Sequence, residues 1–507
     1  MTLETVVAPS TLTPGTYLRV DLLGGSGAAR TSTRRVLLVV QKSSAGTATT
    51  DTLYTDMSGA DQVKTLCGPG TPAHLGAKVA FKRKSRMKMD VLVTGLGTGT
   101  ATATKSFAGT ATTAYNVKIE IGSATINVPW AVGEDFNTIA TRVRSYINNR
   151  VADVPVAATG AAGALILTAC YAGQWGNDIR VRVTLESGAG GTFDAVTTPV
   201  AYALAGGTTE PSLAAGLALV ATRRYHTIVL HTSNTAASTS GASNPDTVKT
   251  HIETYKSGKN ALLQTQIVGN TSAAVSSGTT GAVYRNHERT EQVFAMNARE
   301  LPFEWACFEA ADRADLEELR FGNPNRIGTF FSDFVGPWDL SADKPTDAEI
   351  ETALAGGLSI IDYTPTGLPY LVAPVTEHSV DSSSNADSRA FWVTDVTGAD
   401  TVAEDLKTAL EQQFPQKKIV EDREEQDEEP LPSDTVEIRE VQAFVHARLF
   451  QWVDRGTLRR DKLEEAIANE SLGIEINGTD ESQVDMVIPY RVVRPWSKTS
   501  LLFKRMS

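Results

Sequence analysis

The chain has 507 residues, 41% of them hydrophobic, and since a single core stops growing at about 250 to 300 residues, we expect roughly three or four domains. Its formal net charge of -12 excludes a general attraction to nucleic acid or to an anionic bilayer. No apolar run reaches the roughly 20 residues of a membrane helix and no secretory signal is evident, so we expect synthesis in the cytoplasm without membrane insertion.

The first segment, residues 1–30, is predicted to be an extended arm. It is poor in large apolar groups and interrupted by Pro and Gly, but residues 15–20 alternate as a strand does. Because a lone strand is not stable, this strand must pair with another. The arm residues predicted to make that contact are Thr16, Tyr17, Leu18 and Val20.

An α/β domain is predicted in two parts, on either side of an insertion. Residues 34–41, RRVLLVVQ, are typical of a strand buried on both faces and lie in the first part, 31–93. In the second part, 208–380, helices and strands alternate, which favours a parallel or mixed sheet flanked by helices.

The insertion, residues 94–207, is rich in Gly, Ala, Thr and Val and is predicted to be a β-rich domain with one helix. The predicted strands are 115–121, 125–129, 165–169 and 179–185, the helix is 136–148, and the Thr/Gly/Ala tracts 95–104 and 188–198 are predicted linkers.

A C-terminal α/β domain is predicted over residues 381–490, with helices at 433–454 and 457–469. The C-terminal arm, 491–507, ends in a strand-like segment, 501–505, without an evident local partner, and a predicted strand at 484–493 leads into this arm. The residues of this strand predicted to pair outside the domain are Val487, Ile488, Tyr490 and Val492. The predicted fold class is therefore a multidomain α/β (α+β) protein, with a mixed-sheet core, an inserted β-rich domain and extended arms at both ends.

Two charged runs stand out. Residues 421–429, EDREEQDEE, are too acidic to fold alone; they are interpreted as a solvated loop or as an acidic patch that meets the basic tail of a neighbouring copy. The residues of that electrostatic contact are Glu421, Asp422, Glu424 and Glu425 on one side and Arg491, Arg494 and Lys498 on the other. Residues 82–88, KRKSRMK, favour a surface helix or a contact between subunits over phosphate binding.

Motifs of catalysis are not found in the sequence. It has no phosphate-binding GxxxxGK[ST], no GxSxG and no HExxH. Gly95, Gly97 and Gly99 lack the context of a dinucleotide site, and the three cysteines have neither zinc-site spacing nor a disulfide pattern. We therefore predict no enzyme activity, no cofactor and no metal.

Several short elements together resemble a known family. Pro14, Gly15 and Tyr17 form a PG-x-Y element, residues 172–179 read AG-x-x-GN-x-I, and residues 353–358 read AL-x-x-G-L, with Val375-Thr376 after the hairpin. In this order and spacing the chain resembles the sheath proteins of contractile phage tails, Mu-like members in particular. The family's hairpin usually ends R-x-V-T; this chain has Ala373 in place of the arginine, which puts in doubt any salt bridge there.

The resemblance implies a structural subunit of a contractile tail sheath. Such subunits polymerise as stacked hexameric rings around the tail tube and contract to drive the tube through the host envelope, with the C-terminal domain facing the tube. Their terminal arms add strands to sheets of neighbouring subunits. The implied partners are other copies of the chain, the tail tube protein, and baseplate and tail terminator proteins, without direct nucleic-acid contact. The implied location is the virion tail, after synthesis in the host bacterial cytoplasm.

The alternative from another class is a β-rich surface or adhesion protein of a virion or a bacterial cell. The Thr/Gly/Ala-rich insertion supports it. It predicts a discrete oligomer, whereas a sheath predicts long polymers.

Overall fold

The computed structural model describes residues 18–19, 33–185, 190–195, 199–258, 261–320, 324–423 and 431–494. The strands are β1 (Leu18–Arg19), β2 (Arg35–Val40), β3 (Thr52–Met57), β4 (Lys88–Val93), β5 (Thr102–Gly109), β6 (Asn116–Ile121), β7 (Ala124–Pro129), β8 (Val156–Thr159), β9 (Ala164–Ala169), β10 (Arg180–Leu185), β11 (Gly191–Phe193), β12 (Val200–Ala203), β13 (Thr227–Leu230), β14 (Ser257–Gly258), β15 (Thr265–Asn270), β16 (Thr290–Phe294), β17 (Leu358–Tyr363), β18 (Pro369–Leu371), β19 (Lys418–Val420), β20 (Thr435–Glu437), β21 (Gly473–Ile476) and β22 (Val484–Val487).

The helices are α1 (Ala60–Cys67), α2 (Pro72–Arg83), α3 (Phe136–Asn148), α4 (Ala214–Ala218), α5 (Asn234–Ser238), α6 (Asn244–Tyr255), α7 (Val275–Arg285), α8 (Pro302–Leu319), α9 (Leu340–Asp343), α10 (Asp347–Ala355), α11 (Val393–Gln413), α12 (Ile438–Asp454) and α13 (Arg460–Ala468), with a 3-10 helix at Gln174–Asp178. Within the described ranges, no helix is both long and apolar enough to cross a membrane.

An eight-stranded sheet forms the centre of the molecule, in the order β18-β17-β16-β15-β13-β2-β4-β3. The six inner strands are parallel, and the edge strands β3 and β18 are antiparallel to their neighbours. The predicted buried strand is β2, at the middle of the sheet. The chain continues from β2 to one side and from β13 to the other, so a topological switch point lies between these two strands.

Side chains of β2 alternate between two hydrophobic cores. Val36 and Leu38 pack in the core that contains Phe303 and Trp305 of α8. Leu37 packs on the opposite face, in the core that contains residues of α4 and α6. The sheet is therefore covered by helices on both faces, which explains why β2 is a continuous apolar run. We call this sheet and its helices the α/β body.

The inserted domain consists of two four-stranded antiparallel sheets, in the orders β12-β10-β6-β7 and β11-β5-β9-β8. They share one core with α3, whose bounds match the predicted helix. The linker predictions are wrong in part, because β5 begins at Thr102 and β11 spans Gly191–Phe193. Their Gly, Ala and Thr residues pair as strands in the sheet of β8 and β9, a tertiary effect that composition does not show.

The C-terminal domain packs α11, α12 and α13 around Val402, Val445, Leu449 and Trp452. Helix α12 begins at Ile438, later than predicted, because residues Thr435–Glu437 pair with β19 as β20. The predicted strand at 484–493 is shorter, and only Val484–Val487 is a strand. The predicted fold class, a mixed α/β protein with an inserted β-rich unit, is confirmed.

Candidate assembly sites and domain junctions

The N-terminal arm contributes the strand β1, which pairs with β14 of the same chain. The pairing is antiparallel, with Leu18 opposite Gly258 and Arg19 opposite Ser257. The other predicted arm residues, Thr16, Tyr17 and Val20, lie outside the described residues. The arm thus has a partner strand within the chain, and its pairing with a neighbouring subunit stays a prediction.

The predicted strand at 484–493 has a partner within the chain, whereas the segment expected to lack one, 501–505, lies outside the described residues. Strand β22 forms an antiparallel hairpin with β21, where Val487 lies opposite Gly473. Ile488 and Tyr490 pack against the C-terminal core. Val492 is 3% exposed and forms an isolated bridge with Leu458.

The predicted electrostatic contact is placed only in part. Backbone N–H of Arg439 donates to Asp422 at 2.9 Å, and Glu421 is exposed. Arg494 donates from Nε to Asp395 Oδ2 at 3.0 Å, while the carbonyl of Arg491 accepts from the backbone N–H of Arg459 at 2.9 Å. Glu424, Glu425 and Lys498 lie outside the described residues. Arg494 is therefore paired inside its own chain, and its contact with another copy stays a prediction.

The basic run at residues 82–88 also forms ion pairs within the chain. Arg83 lies 2.6 Å from Asp312 and Lys84 lies 2.5 Å from Glu318. Both carboxylates belong to α8. This part of the run therefore fastens α2 to α8.

A two-stranded parallel sheet, β19 with β20, lies in the C-terminal domain. Lys418 is opposite Thr435 and Val420 is opposite Glu437. No further strand joins this sheet among the described residues. Two-stranded sheets are marginally stable on their own and unpaired edges are templates for another strand, so this sheet offers two edges for strand addition.

Buried ion pairs join the C-terminal domain to the α/β body. Arg289, beside β16, donates to both carboxylate oxygens of Asp400 on α11, at 2.7 and 2.8 Å. Arg34 donates to Thr401 Oγ1 at 2.6 Å, and Arg224 pairs with Glu404. The Arg289 side chain is fully buried, and breaking a buried pair by removing one partner costs about 3 to 5 kcal/mol. This junction is therefore closed by buried, paired charges.

Two carboxylates meet at the start of α5, where Asp178 joins the inserted domain to the body and Glu210 belongs to the body itself. Asp178 Oδ2 accepts from the backbone N–H of Asn234 at 2.8 Å, and Glu210 Oε1 accepts from that of Ser233 at 2.9 Å. Burial, with the nearby Glu210 charge, raises the pKa of Asp178 to about 7, and burial also raises the pKa of Glu210. Arg180 adds a contact by donating to Asn297 Oδ1 at 3.0 Å. This junction is polar and its charge depends on pH.

One cluster has ligand types that suit a metal ion: Glu253, His287 and Glu288. Lys256 Nζ lies 2.7 Å from Glu253 Oε2 and 3.1 Å from Glu288 Oε1. Although burial opposes it, hydrogen bonds from His287 and Lys256 lower the pKa of Glu253 to about 2. The lysine ammonium therefore balances the negative charge of these carboxylates.

No motif predicted the two junctions. Arg289 and Asp400 are 111 positions apart in the chain, and Asp178 and Asn234 are 56 apart. Neither pair has a local spacing that would signal contact. The only sequence signal close to them is the segment 172–179, which the resemblance singled out.

Comparisons with known proteins give structural matches only. No family model and no curated protein matches the chain. The sheath tail protein of Desulfitobacterium hafniense matches with a TM-score of 0.45 and 11% identity, over 94% of this chain and 100% of the other. The sheath tail protein Lin1278 of Listeria innocua matches with a TM-score of 0.40 and 12% identity, over 85% and 87%.

A further match is the sheath complex of an extracellular contractile injection system in the contracted state, with a TM-score of 0.46 and 11% identity, over 97% of this chain and 98% of the other. These structural neighbours are sheath proteins. Their TM-scores are all below 0.5.

Proposed function

We propose that this chain is a structural subunit of a contractile tail sheath. It polymerises as stacked hexameric rings around a tail tube, and contraction of the polymer drives the tube through the host envelope. The subunit is made in the host bacterial cytoplasm and acts in the virion tail, and it is not an enzyme. The short elements quoted above, from Pro14 to Thr376, carry the resemblance on which this proposal rests.

The observation that carries the proposal furthest is the incomplete sheet of β19 and β20. Each strand has only three residues, and no other described strand pairs with either outer edge. A neighbour's arm that adds a strand there gains backbone hydrogen bonds that do not depend on side-chain packing. Such pairing holds subunits together while their other contacts rearrange.

The domain junctions support a subunit that moves as a rigid body. The buried pair of Arg289 with Asp400 fixes the C-terminal domain to the α/β body. In this proposal the extended polymer is metastable, and better contacts between subunits drive it to a shorter and wider state. No nucleotide is needed, because the energy is stored at assembly.

The partners proposed are other copies of the chain, the tail tube protein, and baseplate and tail terminator proteins. Residues 381–494 contain 26 acidic and 13 basic residues, so the excess negative charge of the chain is concentrated in the C-terminal domain. If this domain faces the tube, we expect the opposing tube surface to be basic and the contact to weaken with salt.

The test is negative-stain electron microscopy of the purified full-length chain at rising concentration. Tubes with a regular axial repeat support a sheath subunit. Discrete trimers or other closed oligomers at every concentration contradict it and favour the adhesion protein.

A further inference from the structure

The switch point between β2 and β13 is the place where open α/β sheets usually bind a ligand, outside the carboxyl ends of the strands. In this chain residues 171–179 of the inserted domain, between β9 and β10, cover that place. Tyr171 and Trp175 of the segment stack with ring centroids 4.6 Å apart. The indole of Trp175 lies 5.6 Å from the ring of His231, the first residue after β13.

The residues gathered here carry buried polar atoms with no partner among the described residues. Gln41, the residue after β2, is 1% exposed, and His231 is 4% exposed. Buried side-chain atoms without a hydrogen-bond partner among the described residues include Gln41 Nε2, Gln41 Oε1, Tyr171 OH, Trp175 Nε1 and His231 Nδ1. A Cβ built on Gly173 would lie 3.5 Å from Gln41 Oε1 and 3.3 Å from Trp175 Nε1, so these two groups flank the same glycine.

These atoms form a mixed set of donors and acceptors without a charge. Burial lowers the pKa of His231 to about 3, so its imidazole is neutral. The indole N–H can only donate, the Gln41 amide donates and accepts, and the phenol does both. An anion or a cation would find no counter-charge in this set, whereas a neutral molecule that both donates and accepts would satisfy it.

We infer that Gln41, Tyr171, Trp175 and His231 form a closed, uncharged site that binds ordered water at the switch point. An internal water makes about three hydrogen bonds, and buried polar groups are seldom left without a partner. About two water molecules would therefore satisfy the five atoms. The inserted domain then contacts the body through ordered water. It occupies the crevice in which other folds of this type bind a ligand.

The substitution Gln41→Met tests the inference, because it keeps the length of the side chain and removes both amide atoms. In a hydrated site, the substitution removes the hydrogen bonds between Gln41 and the water. The water then bonds Tyr171, Trp175 and His231 less well, so the melting temperature falls. In a dry site, the substitution removes two unpaired polar atoms from apolar surroundings, so the melting temperature stays or rises. An unchanged or higher value overturns the inference.

A matched control is Gln266→Met. Its Nε2 donates to the carbonyl of Pro245 at 3.1 Å and to Thr290 Oγ1 at 2.7 Å, while its Oε1 has no partner among the described residues. Its loss therefore calibrates the fall in melting temperature for a buried amide whose nitrogen is bonded. A second test needs no variant. It is an experimental structure of the unaltered chain at a resolution that shows ordered water. Solvent peaks within hydrogen-bonding distance of these side chains support the site, and direct bonds among the side chains overturn it.

Discussion

Asp178 is a carboxyl group at the junction of the inserted domain and the body, and burial raises its pKa to about 7. An unfolded aspartate titrates near 3.8, so between about pH 4 and pH 7 the folded chain binds more protons and stability falls as pH rises. We expect Asp178→Asn to reduce this slope, to which other buried carboxyls such as Glu304 also contribute, and to stabilise the chain above pH 7 by about 1 to 3 kcal/mol. Thermal unfolding across this pH range measures it.

The control for this prediction lies at the same junction. Asp153 pairs with Lys78 at 3.0 Å; although burial opposes it, hydrogen bonds from Arg150 and Lys78 lower its pKa. Its stabilising contribution is present above the unfolded pKa and is lost as pH falls, so Asp153→Asn should destabilise the chain at neutral pH. An Asp178→Asn variant with the unaltered pH slope would contradict the role assigned to Asp178.

At the scale of elements, the outer edge of β19 is the site predicted to accept a strand. Lys418 N–H donates toward β20, to the carbonyl of Asp434 at 2.7 Å, and N–H groups of successive strand residues point to opposite sides. The N–H of Ile419 therefore points away from β20. Ile419→Pro removes that donor and should abolish tubes in electron micrographs, while Ile419→Ala, which loses the side chain but keeps the N–H, should still form them.

Tubes from both variants would mean that this edge does not bind a strand. Circular dichroism shows whether Ile419→Pro is folded. A folded Ile419→Pro chain that assembles as well as Ile419→Ala is the result that excludes strand addition at β19.

Elements with a strong local pattern could be predicted from the sequence, and those formed by pairing at a distance could not. Strand β2 and helix α12 follow from a continuous apolar run and a helical stripe. Strands β19 and β20 flank the acidic run and have three residues each, too few for a period to show. Helix α11 carries buried Thr and Asp residues on the face that meets the body, so its pattern is hidden until Arg289 is seen beside Asp400.

At the scale of the whole molecule, the junctions and the arms have separate roles. The junction pairs lie inside one chain and hold its domains, whereas the described part of the arm, Leu18–Arg19, makes a two-residue pairing with β14. Loss of the arm should therefore leave the fold intact and affect contacts between chains. Deleting residues 1–24 should change the free energy of unfolding by less than about 1 kcal/mol. Thermal unfolding measures this change.

The deleted chain should nevertheless fail to form tubes, since it lacks the strand proposed to link subunits. A shorter deletion, residues 1–13, keeps Thr16 to Val20 and serves as the matched control that should assemble. Electron microscopy and sedimentation of both variants distinguish the cases. Normal contractile tubes from the chain without residues 1–24 would rule out a linking role for the arm, because no residue of the predicted strand would remain to exchange.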